Sequence, residues 1–442
     1  MDLLLPDMTG DGDTNGRNDD WNADIRHAPL LSEDILLEAH KDILPQYGFL
    51  GVNQKSKIFV NTNIPFSAFI CGVQGSGKSH TTACLMENAL IPSPHLGQLQ
   101  NPLSALVFSY SPFSGDGADF NISEAAFLSA ANPAFRTQTH AKKVTVLVSP
   151  SNPRISLPYR RKVPNVTVLP SKIKPRNLDI ETMLTLMAVN DSDEIPLYLA
   201  EVTKILRELA RKGGSGLDYT LFKRMLQKCR FNPAQKNMLK LRLDLLESFL
   251  DLNGSCPEPL YSPGEITIMD MSCPFVDANT ACILFKIGLQ RYLHSETAGK
   301  MVVLDEAHKY MLKVPSAKAL NERLHTIIRM QRHYGARVII STQEPTLLTD
   351  LIALCSITVV HRFSSPEWFA ALQKHIPIAG FERGESLKNI EALRTGTALV
   401  YSGNAVLGKN EDGSLVKGVG KMLRVSVRKS VTADGGISVT AV

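Results

Sequence analysis

Between an apolar run, Ser67-Ala-Phe-Ile-Cys71, and a helix-like segment from Lys78 to Leu90, the chain reads Gly72-Val73-Gln74-Gly75-Ser76-Gly77-Lys78-Ser79-His80. The pattern G-x-x-x-x-G-K-S, set between a strand and a helix, constrains the fold more than any other stretch. Gly72, Gly75 and Gly77 permit backbone angles closed to other residues. Successive N–H groups can then turn inward and cradle a polyphosphate at a helix N-terminus. In that arrangement Lys78 reaches the terminal phosphates and the Ser79 hydroxyl holds Mg2+. Residues 72–80 are therefore candidate nucleotide-binding residues. A glycine-rich turn before an ordinary helix is the competing account, and the flanking strand and helix argue against it.

The remaining periodicity supports the same architecture. Apolar runs at Ile58–Val60, Ala105–Ser109, Val144–Val148, Gly264–Asp270, Lys300–Asp305, Arg337–Ser341, Ile357–His361 and Thr397–Tyr401 read as strands. Helical patterns at 279–294 and 316–334 interleave with them, which predicts a mainly parallel sheet covered on both faces. From Leu178 to Leu252 the spacing turns helical, broken by Gly213, Gly214 and Gly216, as expected for a helical insertion. The predicted organisation is an acidic, partly disordered tail (1–45), a first core segment (46–177), the insertion (178–255), a second core segment (256–425) and a C-terminal tail (426–442). The tail is predicted to be disordered through Asn22, with a short helix over Leu31–Leu44. Residues 149–176, punctuated by six prolines, read as short extended pieces.

Composition excludes several classes. No apolar run reaches the length needed to cross a bilayer, and the acidic N-terminus does not read as a signal or transit peptide. An intracellular location, nuclear or cytoplasmic, is expected. Seven scattered cysteines with no C-x-x-C spacing suggest neither a disulfide framework nor a zinc site. The net charge of +5 is mild but uneven. Met1 to Pro45 holds eleven acidic and three basic residues, whereas Lys204 to Arg242 holds eleven basic and two acidic. That asymmetry fits a nucleic-acid face or a solvated helical surface.

Further residues complete the chemistry. Met301-Val-Val-Leu-Asp305-Glu306 is an apolar strand ending in two acids. Asp305 is placed to bind Mg2+ in concert with Ser79, and Glu306 to orient and deprotonate an attacking water. Ser341-Thr342-Gln343 ends another strand. The Gln343 amide can sense a γ-phosphate, while Ser341 and Thr342 can equally cap a turn. Phosphoryl transfer gains from a cation set against the developing charge, for which Arg329, Arg332 and Arg362 are candidates, each equally readable as a surface arginine. His308 can couple the site to neighbouring elements.

Together these residues resemble the HerA/FtsK superfamily of RecA-like motor ATPases, and most of all its HerA branch. Asp305-Glu-Ala-His308 is similar to the family's Walker B element, Arg329–Gly335 to its arginine-bearing helix, and Ser341-Thr-Gln-Glu-Pro345 to its glutamine sensor. His361–Pro366, Leu393–Val400 and Asp434-Gly-Gly436 resemble later family segments. The resemblance implies a RecA-like P-loop core with a helical insertion between Walker A and B. It also implies an ATP- and Mg2+-dependent homo-hexamer translocating DNA, with Arg329 or Arg332 acting as a finger toward the next subunit. Residues 1–66 are too few for the family's N-terminal β-barrel with its linker, and Thr397 stands where an acid is common. The missing barrel leaves the docking of a nuclease or other DNA-processing partner open. Two other classes stay open: a nucleotide-dependent scaffold or switch, and a superfamily-2-type helicase, which lacks support from a second arginine-bearing motif.

Overall fold

The computed structural model describes residues 14–39, 42–112, 122–135, 139–175, 178, 183, 197–211, 218–258, 260–376 and 383–435. Its strands are β1 (Leu30–Ser32), β2 (Tyr47–Asn53), β3 (Ser56–Val60), β4 (Ser67–Cys71), β5 (Gly97–Gln98), β6 (Ser104–Ser109), β7 (Lys143–Val148) and β8 (Val166–Pro170). They continue with β9 (Glu265–Asp270), β10 (Lys300–Leu304), β11 (Ala336–Thr342), β12 (Ile357–Val360), β13 (Thr397–Tyr401), β14 (Val406–Lys409), β15 (Leu415–Lys417) and β16 (Met422–Val427).

One half of the sheet is parallel, in the order β12-β4-β11-β10-β6-β9-β7-β8. Its strands are near-continuous apolar runs because helices cover both faces. Alternation along each strand divides the core. Ala68, Ile70, Ala105 and Val107 point to the face covered by the helix Lys78–Leu90. Phe69, Cys71, Leu106 and Phe108 point to the face covered by the helices Ala278–Leu293 and Pro315–Arg329. The mixed α/β fold with its parallel core agrees with the sequence.

The sheet continues beyond β12 into an antiparallel half, β13-β16-β2-β3-β1, with β14 parallel to β1 and β15 closing the edge. Periodicity missed β2, β5, β14, β15 and β16: glycines interrupt β2 and β14, β5 and β15 are only two and three residues long, and β16 alternates with polar residues.

Within the described residues both expected tails depart from the prediction; residues 1–13, 40–41 and 436–442 lie outside them. Thr14–His27 is helical, and Leu31–Leu44 contains the end of β1 and a short helix at Glu33–Glu38. Ile25, Leu31, Ile35, Ile43 and Leu44 bury against Val406, so apolar residues spaced among the acids dock this segment on β14. At the other end, the C-terminal boundary at 426 falls inside β16. Beyond it, Arg428, Ser430, Val431 and Thr432 are buried as a strap across the P-loop helix. The Arg428 guanidinium donates to the fully buried Glu87 carboxylate at 2.6 Å, and Ser430 and Thr432 supply further donors to the same carboxylate.

The insertion is helical where described, at Leu197–Arg211, Tyr219–Gln227 and Pro233–Ser248. The triple-glycine break lies outside the described residues, as does Gly436. A second break before Pro233 has a local cause: Asn232 and Gln235 form a reciprocal capping box. Residues 149–176 hold a helix, Ser156–Lys162, that the prolines masked. Pro158 sits in its first turn, where no backbone N–H is needed.

Candidate functional site

The strands carrying the three motifs are neighbours. β11 lies between β4 and β10, with Thr342 beside Cys71 and Ile340 beside Leu304. The P-loop, Asp305-Glu306 and Gln343 therefore emerge side by side at the carboxyl ends of parallel strands, where open α/β sheets bind ligands.

The loop's shape depends on its glycines. Gly72, Gly75 and Gly77 have φ of 152°, 71° and 108°. A Cβ on Gly72 would lie 2.6 Å from the His361 Cβ and 2.8 Å from Ser76 Oγ. His361 follows β12, donates its backbone N–H to Cys71 O and shares a 2.9 Å side-chain bond with Thr81 of the P-loop helix. It is fully buried, and desolvation together with the Lys78 charge lowers its pKa to about 4. Val73 O accepts from Ser76 Oγ at 2.7 Å and Lys78 Nζ at 3.1 Å. Gln74 and Gly75 are exposed at the tip, and His80 Nε2 donates to the strap at Arg428 O, 2.7 Å away. His80 thus faces the strap in the structure, whereas the sequence placed it in the nucleotide-binding run.

Lys78 is the buried cation of the site, 3.8 Å from the Glu306 carboxylate, and burial lowers its pKa. Glu306 stands in the left-handed region, φ 48° and ψ 46°, a conformation costing roughly 1–2 kcal/mol outside glycine. Its Oε2 accepts from Gln343 Nε2 at 2.7 Å and lies 3.5 Å from His308 Nε2 and 3.9 Å from Lys309 Nζ. The Gln343 backbone N–H donates to His308 Nδ1 at 3.3 Å. That bond leaves the ring proton on Nε2, directed at Glu306. Thr342 also caps the following turn through Glu344, as the turn reading of this segment expects.

Asp305 is held near a pKa of about 7 by burial and by the Glu306 and Glu124 charges. Sequence reasoning missed Glu124. It opens a 3-10 helix, Glu124–Ser129, that packs on the P-loop helix. Burial raises the pKa of its carboxyl group, with the Ser79 side chain and the Lys78 charge opposing that rise. Ser79, Thr82, Glu124 and Asp305 line one small cavity. A lone acid in a loop rich in alanine carries no spacing signal.

These groups are hard oxygen donors, as Mg2+ requires. Among the described residues no cluster of three His, Cys, Asp or Glu forms a metal cage. Mg2+ is usually held by one or two carboxylates together with substrate phosphates. Ser79 and Asp305 fit that role.

Arg329 and Arg332 are not brought to this site. Both are exposed near Gly335, whose carbonyl pairs with Lys300 at the start of β10. The seven residues of β11 put roughly 20 Å between them and Gln343. Arg362, in contrast, is exposed beside the P-loop, its carbonyl accepting from Val73 N at 3.0 Å.

No family model and no curated protein matches the sequence. Among solved structures, VirB4 of Thermoanaerobacter pseudethanolicus aligns over 86% of this chain and 96% of its own, with 12% identity and a TM-score of 0.50. The genome packaging NTPase B204 from Sulfolobus turreted icosahedral virus 2, in complex with AMPPCP, aligns over 81% and 97%, with 9% identity and a TM-score of 0.30. The conjugation coupling protein TcpA of pCW3 aligns over 86% and 65%, with 11% identity and a TM-score of 0.32. The VirB4 likeness gives the chain that protein's fold, a mixed α/β core on a mostly parallel sheet.

Proposed function

We propose that the protein is a Mg2+-dependent ATPase that works as a ring-forming motor on DNA. The observation that carries the ATPase reading is Glu306. Its carboxylate stands 3.8 Å from the P-loop lysine and 2.7 Å from Gln343, on adjacent strands. Backbone N–H groups of residues 72–79 would receive the phosphates, with Lys78 neutralising the terminal ones. Bound at Ser79 and Asp305, Mg2+ supplies charge neutralisation at the phosphates. Glu306 would accept the proton of the attacking water, and Gln343, released from Glu306, would orient that water or the γ-phosphate.

The DNA reading rests on charge. Lys204, Arg207, Arg224, Lys228, Arg230 and Lys240 of the insertion are exposed, a distribution suited to phosphate backbones. The ring reading rests on the site itself. Arg329 and Arg332 precede β11 and so lie at its far end from Gln343 within the chain, and either would serve a neighbouring subunit's nucleotide.

The test is the ATPase rate with and without single-stranded and duplex DNA at defined salt, alongside oligomer mass with and without nucleotide. Stimulation that falls with salt, and a hexameric mass, are the expected results. ATP binding with no turnover and no DNA response would favour the scaffold or switch reading. A strict monomer would overturn the ring.

A further inference from the structure

We propose that Glu124 is the positioning residue of the cation site, orienting the Ser79 hydroxyl so that its lone pairs face the metal; this rests on the nucleotide-binding reading above. A serine hydroxyl has one proton and two lone pairs. Were that proton given to the Glu124 carboxylate, which lines the same cavity, the oxygen could only accept or ligate in its remaining directions. Without such an acceptor the proton would be free to rotate into the cation's place. Groups that fix a ligand's orientation in this way are worth about 10–100-fold in metal affinity.

Glu124 is held in place for the task. The backbone N–H of Ser123 donates to the Tyr159 hydroxyl at 2.9 Å, and that hydroxyl donates to Asp270 Oδ2 at 2.6 Å. Asp270 is fully buried at the end of β9 and its other oxygen accepts from Ser272 N at 3.0 Å. The start of the 3-10 helix is thereby pinned to the sheet beside the carboxyl ends of β10 and β6. Its other end is closed by the C-terminal strap, where Ala433 N donates to Ala130 O at 2.9 Å. The carboxylate consequently shares a cavity with Ser79 and Asp305 and adds negative charge where a divalent cation would sit.

The test is binding of a fluorescent ATP analogue to the full chain, titrated with Mg2+ and repeated in EDTA. Glu124→Ala should raise the half-saturating Mg2+ concentration about 10–100-fold and leave binding in EDTA unchanged or tighter. Glu124→Gln keeps a carbonyl for the Ser79 proton, so its shift should be smaller. It is also nearly isosteric, which guards against a folding defect in the alanine variant. A thermal melt of each variant separates packing from positioning: a purely structural residue would lower the melting temperature without moving the Mg2+ midpoint. An unchanged midpoint in both variants overturns the inference while leaving nucleotide binding intact. No analogue binding by the wild-type chain would overturn the nucleotide reading and the inference with it.

Discussion

The Gln343 side-chain amide donates to the Glu306 carboxylate at 2.7 Å, joining the residue after β11 to the second residue past β10. The bond crosses from the end of β11 to the acid proposed as general base. It holds Glu306 in a left-handed conformation that its own backbone disfavours. Lys78, His308 and Lys309 add positive charge or donors around the same carboxylate. In this arrangement Glu306 is occupied by protein groups. A γ-phosphate would compete for Lys78 and Gln343, freeing the carboxylate for water.

The first prediction concerns the acid. Glu306→Gln should retain ATP binding, because Lys78, the loop N–H groups and Ser79 are untouched. Turnover should fall by about 10²–10⁴-fold, the range for losing a general base. Steady-state hydrolysis and equilibrium nucleotide binding, measured on the same preparation, check it. Unchanged turnover would remove Glu306 from the reaction.

Gln343→Leu should act on turnover more than on binding. The variant keeps the volume but loses the donor, so kcat should drop by about 10²-fold with KM for ATP little changed. A rise in KM at constant kcat would instead make Gln343 a ground-state contact. Combining it with Glu306→Gln should cost less than the product of the two single losses, since the residues act as a unit.

The P-loop, the two acids and Gln343 were legible because each combines a local residue pattern with an apolar strand. The sheet then brings those strand ends together. Glu124 was not legible, since its place comes from a 3-10 helix packing on Lys78–Leu90, and weak helical character over 122–131 does not say what that helix packs against. The antiparallel half was hidden for a related reason. β16 and β2 are stabilised by pairing with β13 and β3 and by the Arg428 strap, and pairing partners distant in sequence leave no local trace. Arg329 and Arg332 were found as residue types, but spacing cannot say which site an exposed arginine serves.

His361 predicts a pH dependence of stability. Its folded pKa is about 4 against an ordinary value near 6.5. Between those values the unfolded chain binds a proton that the folded chain does not. Stability is therefore full above about pH 6.5 and declines as pH falls toward 4, by about 3 kcal/mol in total. His361→Gln keeps a polar partner for Thr81 and removes the titration. Urea midpoints at pH 4.5 and 7.5 should differ less in the variant than in the wild type, with carboxylate contributions common to both. Equal pH dependence would show that His361 is not held neutral.

The last prediction tests the strap. Arg428 donates to Glu87, Phe49 O, Cys84 O and Asn88 Oδ1, so one guanidinium joins the P-loop helix, β2 and the chain after β16. Arg428→Ala leaves a fully buried carboxylate with only Ser430 and Thr432 as donors. The cost should be about 3–5 kcal/mol, the range for breaking a buried pair on one side. Replacing both partners, Arg428→Met with Glu87→Leu, should cost less than Arg428→Ala alone, because no buried charge is left uncompensated. Urea unfolding of the three proteins checks the order. If the double variant were the least stable, the strap would be held by the ion pair's net attraction rather than by the need to satisfy Glu87. Because the same helix carries Lys78 and Ser79 at its N-terminus, the single variant should also weaken nucleotide binding, which the fluorescent analogue reports directly.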